Sequence, residues 1–110
     1  MERLRRNRDF QALMSGRRSF RGRLLIAFAR PNDLGRWRLG VAMSRGIKGS
    51  VRRNRARRRL REGARLVLGA GSAAPVGIDV VLLAREGALV ARWDELIAEI
   101  SAARERLLGP

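Results

Sequence analysis

Between Arg52 and Arg65 the chain places eight arginines in fourteen positions, against one acid, Glu62. A guanidinium presents five donors in a planar fork, suited to bidentate contact with phosphate oxygens and to stacking on a base. Lys48 is the one lysine among 25 basic residues, so the preference for that fork is nearly complete. The chemistry on offer is capture of a polyanion. Cutting one is another matter. The chain has no His and no Cys, which removes the commonest general base, the commonest thiol nucleophile and the usual zinc ligands. Metal-dependent hydrolysis would want several converging carboxylates. The ten acids are scattered, apart from Asp94, Glu95, Glu99 and Glu105, whose helical spacing reads as a solvated face. No residue is assigned to catalysis.

Gathering the arginines has a cost. With Ser50 as the helix cap, Arg52 and Arg53 stand in the first turn, where positive charge opposes the helix dipole by about 0.3–1 kcal/mol each. Arg53, Arg57, Arg61 and Arg65 form an i,i+4 ladder in which each like-charged pair is destabilising by about 0.2–0.5 kcal/mol. A polyanion relieves both effects, because arginines that neutralise phosphates release condensed counterions. A sequence-reading DNA helix would sit in a helix-turn-helix or a dimeric zipper. Here a strand and loop precede the basic segment and no heptad follows it.

The charge is localised. Residues 1–30 carry nine Arg and two acids, residues 31–65 twelve Lys/Arg and two acids, and residues 66–110 four Arg and six acids. Net charge is +15, yet the last 45 residues are slightly acidic, as expected of one basic surface facing nucleic acid. At 110 residues and 45% hydrophobic, the chain reads as one domain, 1–110, with a modest core. No apolar run reaches the roughly 18–20 residues that span a bilayer, and the N-terminus has no signal-peptide pattern. The absence of cysteine fits a reducing compartment. The expectation is a soluble, cytoplasmic protein.

The elements that must hold the arginines follow from periodicity. Leu4, Phe10, Leu13 and Met14 predict a short helix from about Asp9, ended by Gly16. Residues 21–30 read as a strand followed by a turn at Pro31-Asn32-Asp33. Trp37, Leu39, Val41 and Met43 alternate with Arg38, Gly40 and Ala42, a strand with one buried face. The short link between these strands suggests an antiparallel hairpin. In the arginine helix Ala56, Leu60, Ala64 and Val67 share one side, and Asn54, Arg58, Arg61 and Arg65 the other. Residues 68–77 read as a loop. GIDVVLLA, 77–84, is a nearly continuous apolar run, as in a strand covered on both faces or lying centrally. Trp93, Leu96, Ile97, Ile100 and Leu107 mark a C-terminal amphipathic helix of about 15 residues. The order α-β-β-α-β-α predicts an α+β fold, helices against a small mixed sheet.

RRNRARRRLRE, fed by a strand and an S-x-x-I loop, resembles the RNR signature of the bacterial ribonuclease P protein subunit. RLRRNRDFQALMSGRR, LLIAFARPN, WRLGVAMSRGIKGSVRRNR and GIDVVLLAREG resemble successive segments of that family, covering nearly the whole chain. The resemblance implies a two-layer α-β sandwich with a left-handed strand-helix-strand crossover, an exception to the usual hand. It implies binding to a large catalytic RNA and help in removing the 5′ leader of precursor tRNA. The RNA, with Mg²⁺, performs the hydrolysis, so the protein needs no cofactor of its own. The implied partners are that RNA subunit, as a 1:1 complex with one copy of the chain, and precursor tRNA; membrane and DNA are not expected. The alternative is a non-catalytic RNA-binding module such as a ribosome-associated protein.

Arg53, Asn54 and Arg55 match the RNR triplet, Arg57, Arg58 and Arg61 the basic positions after it, and Arg45 a basic loop position. Lys48 stands where the family has glycine and adds a candidate phosphate contact. Arg52 and Arg65 complete the candidate RNA-binding set. The family's cleft for the single-stranded leader uses aromatics from the first helix and a neighbouring strand. Phe10 and Phe28 fall there, either as stacking platforms worth roughly 1–3 kcal/mol per base or as plain core. Met14 occupies the place of a second aromatic.

Overall fold

The computed structural model describes residues 2–16, 18–69 and 77–108. The elements in order are β1 (Glu2–Arg3), α1 (Asn7–Met14), β2 (Ser19–Arg21), β3 (Leu25–Asn32), β4 (Arg38–Met43), α2 (Ser50–Val67), β5 (Gly77–Ala84), a 3-10 turn (Glu86–Leu89) and α3 (Trp93–Leu108). The fold is α+β, and each helix and strand expected from periodicity is present. Residues 70–76 of the expected 68–77 loop lie outside the described residues.

The five strands form one mixed sheet in the order β1-β4-β5-β3-β2. β5 pairs parallel with β4 and antiparallel with β3, so β4, α2 and β5 make a parallel strand-helix-strand unit. The expected hairpin between residues 21–30 and 37–43 does not form, because β5 lies between those strands. The physical reason is burial. β5 is apolar on both faces and only a central place covers both, whereas β4 has one apolar face and tolerates a place nearer the edge. Two short edge strands, β1 and β2, lie beyond what periodicity detects; two or three residues carry no alternation.

β3 also runs through the expected turn, with Pro31 opposite Ile78 and Asn32 opposite Gly77. Ala29 N–H donates toward the β2 side, to the Arg18 carbonyl at 3.4 Å. Two residues on, the Pro31 nitrogen points the same way, past the start of β2, where no ladder requires its missing donor. The turn falls instead on residues 33–36, shaped by Asn32, whose Oδ1 accepts from Leu34 N and whose Nδ2 donates to the Arg36 carbonyl.

Alternation along the strands separates two clusters. Ala27, Ala29, Val80 and Leu82 face the main core with Leu60 of α2 and Leu96 and Ile100 of α3. Each fully buried leucine or isoleucine here contributes about 1.5–3 kcal/mol relative to exposure. α2 and α3 approach closely at Gly63, where a Cβ would stand 2.5 Å from Ile100 Cδ1. On the other face Val81 meets Leu4 and Leu13, with Phe10, Met14 and Phe28 packed around them. The helix-on-sheet layer is thus made by α2 and α3, and α1 covers part of the opposite face.

Glu99 departs from the expected solvated acidic face. Its carboxylate accepts the backbone N–H groups of Arg23, Leu24 and Leu25 at 3.0, 2.8 and 2.8 Å. It thereby fastens α3 to the turn between β2 and β3. Asp94, Glu95 and Glu105 are exposed, as expected.

Candidate nucleic-acid interface

The N-cap of α2 is Gly49, one residue before the expected Ser50. Its φ of 88° suits glycine, and no side chain caps the helix. Arg52 and Arg53 still fall in the opening turn. Ala56, Leu60, Gly63 and Ala64 are buried, which turns Asn54, Arg58 and Arg65 outward, exposed, and leaves Arg61 half-buried. Val51, Asn54, Arg57, Arg58 and Arg61 line a shallow open groove along this side. Arg45 and Lys48 stand exposed in the loop that feeds the helix, and Arg52 and Arg55 are exposed on its flank.

The arginines divide by what they touch. Arg59 lies toward the buried side, and its guanidinium donates to the carbonyls of Ala88 and Leu89, both at 2.9 Å, and of Ala91. It ties α2 to the 3-10 turn. Arg53 Nη1 donates to the Ile47 carbonyl at 3.0 Å, so this member of the RNR triplet holds the loop to the helix. Arg57 Nη1 donates to Asn54 Oδ1 at 2.6 Å. Arg65 pairs with Glu62, Nε to Oε2 at 3.2 Å. Among the described residues, Arg45, Lys48, Arg52, Arg55, Arg58 and Arg61 have no ion pair or side-chain hydrogen bond. Six cations are left open along α2 and the loop that feeds it.

That surface extends beyond the expected set. Burial lowers the affinity of Arg61 for its proton, and the charges of Arg3, Arg57 and Arg5 lower it further. Arg3 is brought there by β1, which pairs with β4 through Arg3 opposite Leu39. The basic opening of the sequence hinted at these residues, but a two-residue strand gave no pattern that could place them beside α2.

On the opposite face of the sheet, Phe10, Met14 and Phe28 come together between α1 and β3, all half-buried around Val81. They are packed on one side and partly exposed on the other. One strand step away lies a network that sequence reasoning missed. Asp79 is fully buried and accepts Arg38 Nε and Nη2 at 2.8 Å each and Asn32 Nδ2 at 2.7 Å. Arg30 Nε stands 3.7 Å from it. Burial alone would raise this carboxyl, but the hydrogen bonds from Arg38 and Asn32 and the charges of Arg38 and Arg30 outweigh it and hold it below the ordinary aspartate range. Asp9 lies 3.8 Å from Arg30 and 4.0 Å from Arg38. The signal in the sequence was an acid inside an otherwise apolar strand, which demands a partner. Among the described residues no three of Asp, Glu, His and Cys converge on a common point.

The sequence profile of the family described as Ribonuclease P matches residues 1–108. The chain belongs to the ribonuclease P protein family. A ribonuclease P protein component of Pelotomaculum thermopropionicum is 42% identical over 82 residues, 74% of this chain and 70% of its own. That of Herpetosiphon aurantiacus is 32% identical over 100 residues, 91% of this chain and 79% of its own. The solved RNase P protein from Thermotoga maritima superposes with a TM-score of 0.77 at 25% identity, covering 96% of this chain and 97% of that one. A ribonuclease P protein is the protein component of an endoribonuclease ribonucleoprotein, in partnership with the ribonuclease P RNA. Among the described residues no helix is long and apolar enough to cross a membrane.

Proposed function

We propose that the open face of α2 and its loop grip the catalytic RNA, while the cleft between α1 and the sheet holds the single-stranded 5′ leader of precursor tRNA. The chain acts in the cytoplasm as one copy per RNA, and bond cleavage belongs to the RNA and its Mg²⁺. The observation that carries this reading is the set of six basic side chains on α2 and its loop that, among the described residues, have no ion pair or side-chain hydrogen bond. Arg55, Arg58, Arg61, Arg45 and Lys48 bind phosphates directly, with Arg52, Arg57, Asn54 and Arg65 beside them. Arg53 contributes through the loop it fixes. Phe10 and Phe28 offer their open ring surface to leader bases, and Met14 borders them as an apolar wall.

Binding to the cognate RNA subunit, measured against salt with duplex DNA and ribosomes as competitors, tests this. The expected outcome is a preference for the RNA subunit and a steep loss of affinity as salt rises. Stable co-sedimentation with ribosomes and no preference for the RNA subunit would favour a ribosome-associated module instead.

A further inference from the structure

Beside the aromatic cluster lies an open groove lined by Arg6, Arg8 and Asp9 at the start of α1, by Asp33 of the turn after β3, and by Arg30, Arg38 and Asp79 of the sheet. Four guanidiniums face three carboxylates there, Asp9, Asp79 and the exposed Asp33, which leaves the groove net positive. Arg38 is committed to Asp79, which holds it in a fixed plane by two parallel hydrogen bonds. Arg30 makes two loose ion pairs, 3.8 Å from Asp9 and 3.7 Å from Asp79, without a hydrogen bond to either, so among the described residues its N–H donors stay available. Arg6 and Arg8 are exposed and, among the described residues, have no ion pair. Arg6 is also the N-cap of α1, and no side chain caps the amides that follow. Register connects the groove to the aromatics. Arg38 and Arg30 both stand opposite Asp79, and the next rung on that face carries Gly40, Val81 and Phe28. Two residues along a strand is roughly 7 Å, a distance that a nucleotide covers between its base and its backbone.

We propose that this groove is a phosphate subsite: Arg6, Arg8 and Arg30 contact one backbone phosphodiester of the leader strand whose base lies on Phe28, and Asp79 positions Arg38 beneath it. The subsite rests on the cleft reading above. It separates two jobs on one sheet face, with apolar stacking at Phe28 and charge capture one rung away. Asp79 is a positioning residue. It is too buried to meet the strand and acts through the orientation of Arg38.

The test uses the chain assembled with its cognate RNA subunit. Affinity is measured for precursor tRNA with single neutral methylphosphonate linkages stepped through the leader, and for mature tRNA without a leader. With the native chain, one linkage position should weaken precursor binding on the order of tenfold. In the combined Arg6→Gln, Arg8→Gln, Arg30→Gln chain, precursor binding should already be weaker by that amount and the neutral linkage should have no further effect. Mature tRNA should bind all variants equally, and Arg30→Lys should restore part of the loss. Asp79→Asn, checked for cooperative melting, should weaken precursor but not mature tRNA. If no linkage is coupled to these arginines while Phe28→Ala still weakens precursor binding, the subsite is overturned and the cleft stands. If Phe10→Ala and Phe28→Ala also leave precursor binding unchanged, the cleft reading fails, and the subsite with it. Equal loss for mature and precursor tRNA also overturns it.

Discussion

The ring of Phe10 lies against the backbone of Gly40: a Cβ at position 40 would stand 2.6 Å from Phe10 Cζ and 2.7 Å from Cε1. The absent side chain on β4 is what lets α1 settle on the sheet. Gly40→Ala should force the ring away and cost about 1–3 kcal/mol, the usual penalty of overpacking. Urea unfolding measures the cost. Because the same ring borders the cleft, affinity for leader-bearing tRNA should fall more than affinity for mature tRNA. An alanine variant as stable as the native chain would show that the ring is not seated as described.

Arg58 and Arg59 are neighbours in sequence with opposite duties. Arg59→Ala removes the donor to three backbone carbonyls and should destabilise the fold by about 1.5–3 kcal/mol. Arg58→Ala removes an exposed group that has no partner among the described residues and should change stability by less than about 0.5 kcal/mol. It should instead lower the salt slope of RNA binding by about 1. Paired denaturation and salt-titration curves check both, and a reversed pattern would contradict the division of the arginines.

Glu99 satisfies three backbone amides at the turn before β3. Glu99→Ala should leave them without an acceptor, at a cost of about 1–3 kcal/mol. Hydrogen exchange at Leu24 and Leu25 should accelerate more than exchange in the centre of β5. Unchanged protection at those two amides would show that the carboxylate is not their partner.

Glu99 also marks the limit of sequence reading. Periodicity placed all three helices, and the apolar run 77–84 was legible as a central strand because no other position covers both its faces. Pairing was less legible: a short link between two strands favours a hairpin locally, and only the competition for the sheet centre, a property of the whole chain, overrides it. The arginine cluster was legible as a surface, whereas the separation of Arg59 and Arg53 from their neighbours depends on carbonyls that lie on other elements. Arg3 and Arg5 join the basic face through a strand pair too short to leave a pattern. Asp79 stands out in the sequence only as an acid in need of a partner, and Glu99 looks like an ordinary surface acid, until the fold supplies Arg38 and the turn at 23–25.

Asp79 gives the fold a dependence on acid. Its folded-state carboxyl is held below the unfolded value of 3.8, so its contribution is complete above that value and is lost as pH falls through the lower folded value. Unfolding free energy measured against pH should therefore decline at the acid end below about 3.8. In Asp79→Asn that part of the decline should be absent and stability near neutral pH lower. An acid limb of equal steepness in both chains would remove Asp79 from this role.

The central claim is that the basic face of α2 serves an RNA that does the cutting. Reconstituted 5′ processing of precursor tRNA at low Mg²⁺ tests it most directly, comparing the native chain with one carrying Arg55→Glu, Arg58→Glu and Arg61→Glu. The chain alone should leave the precursor intact, the native chain with its RNA subunit should release the leader, and the charge-reversed chain, still folded, should fail to support release. Cleavage by the chain alone, or full activity of the charge-reversed chain, would contradict the account.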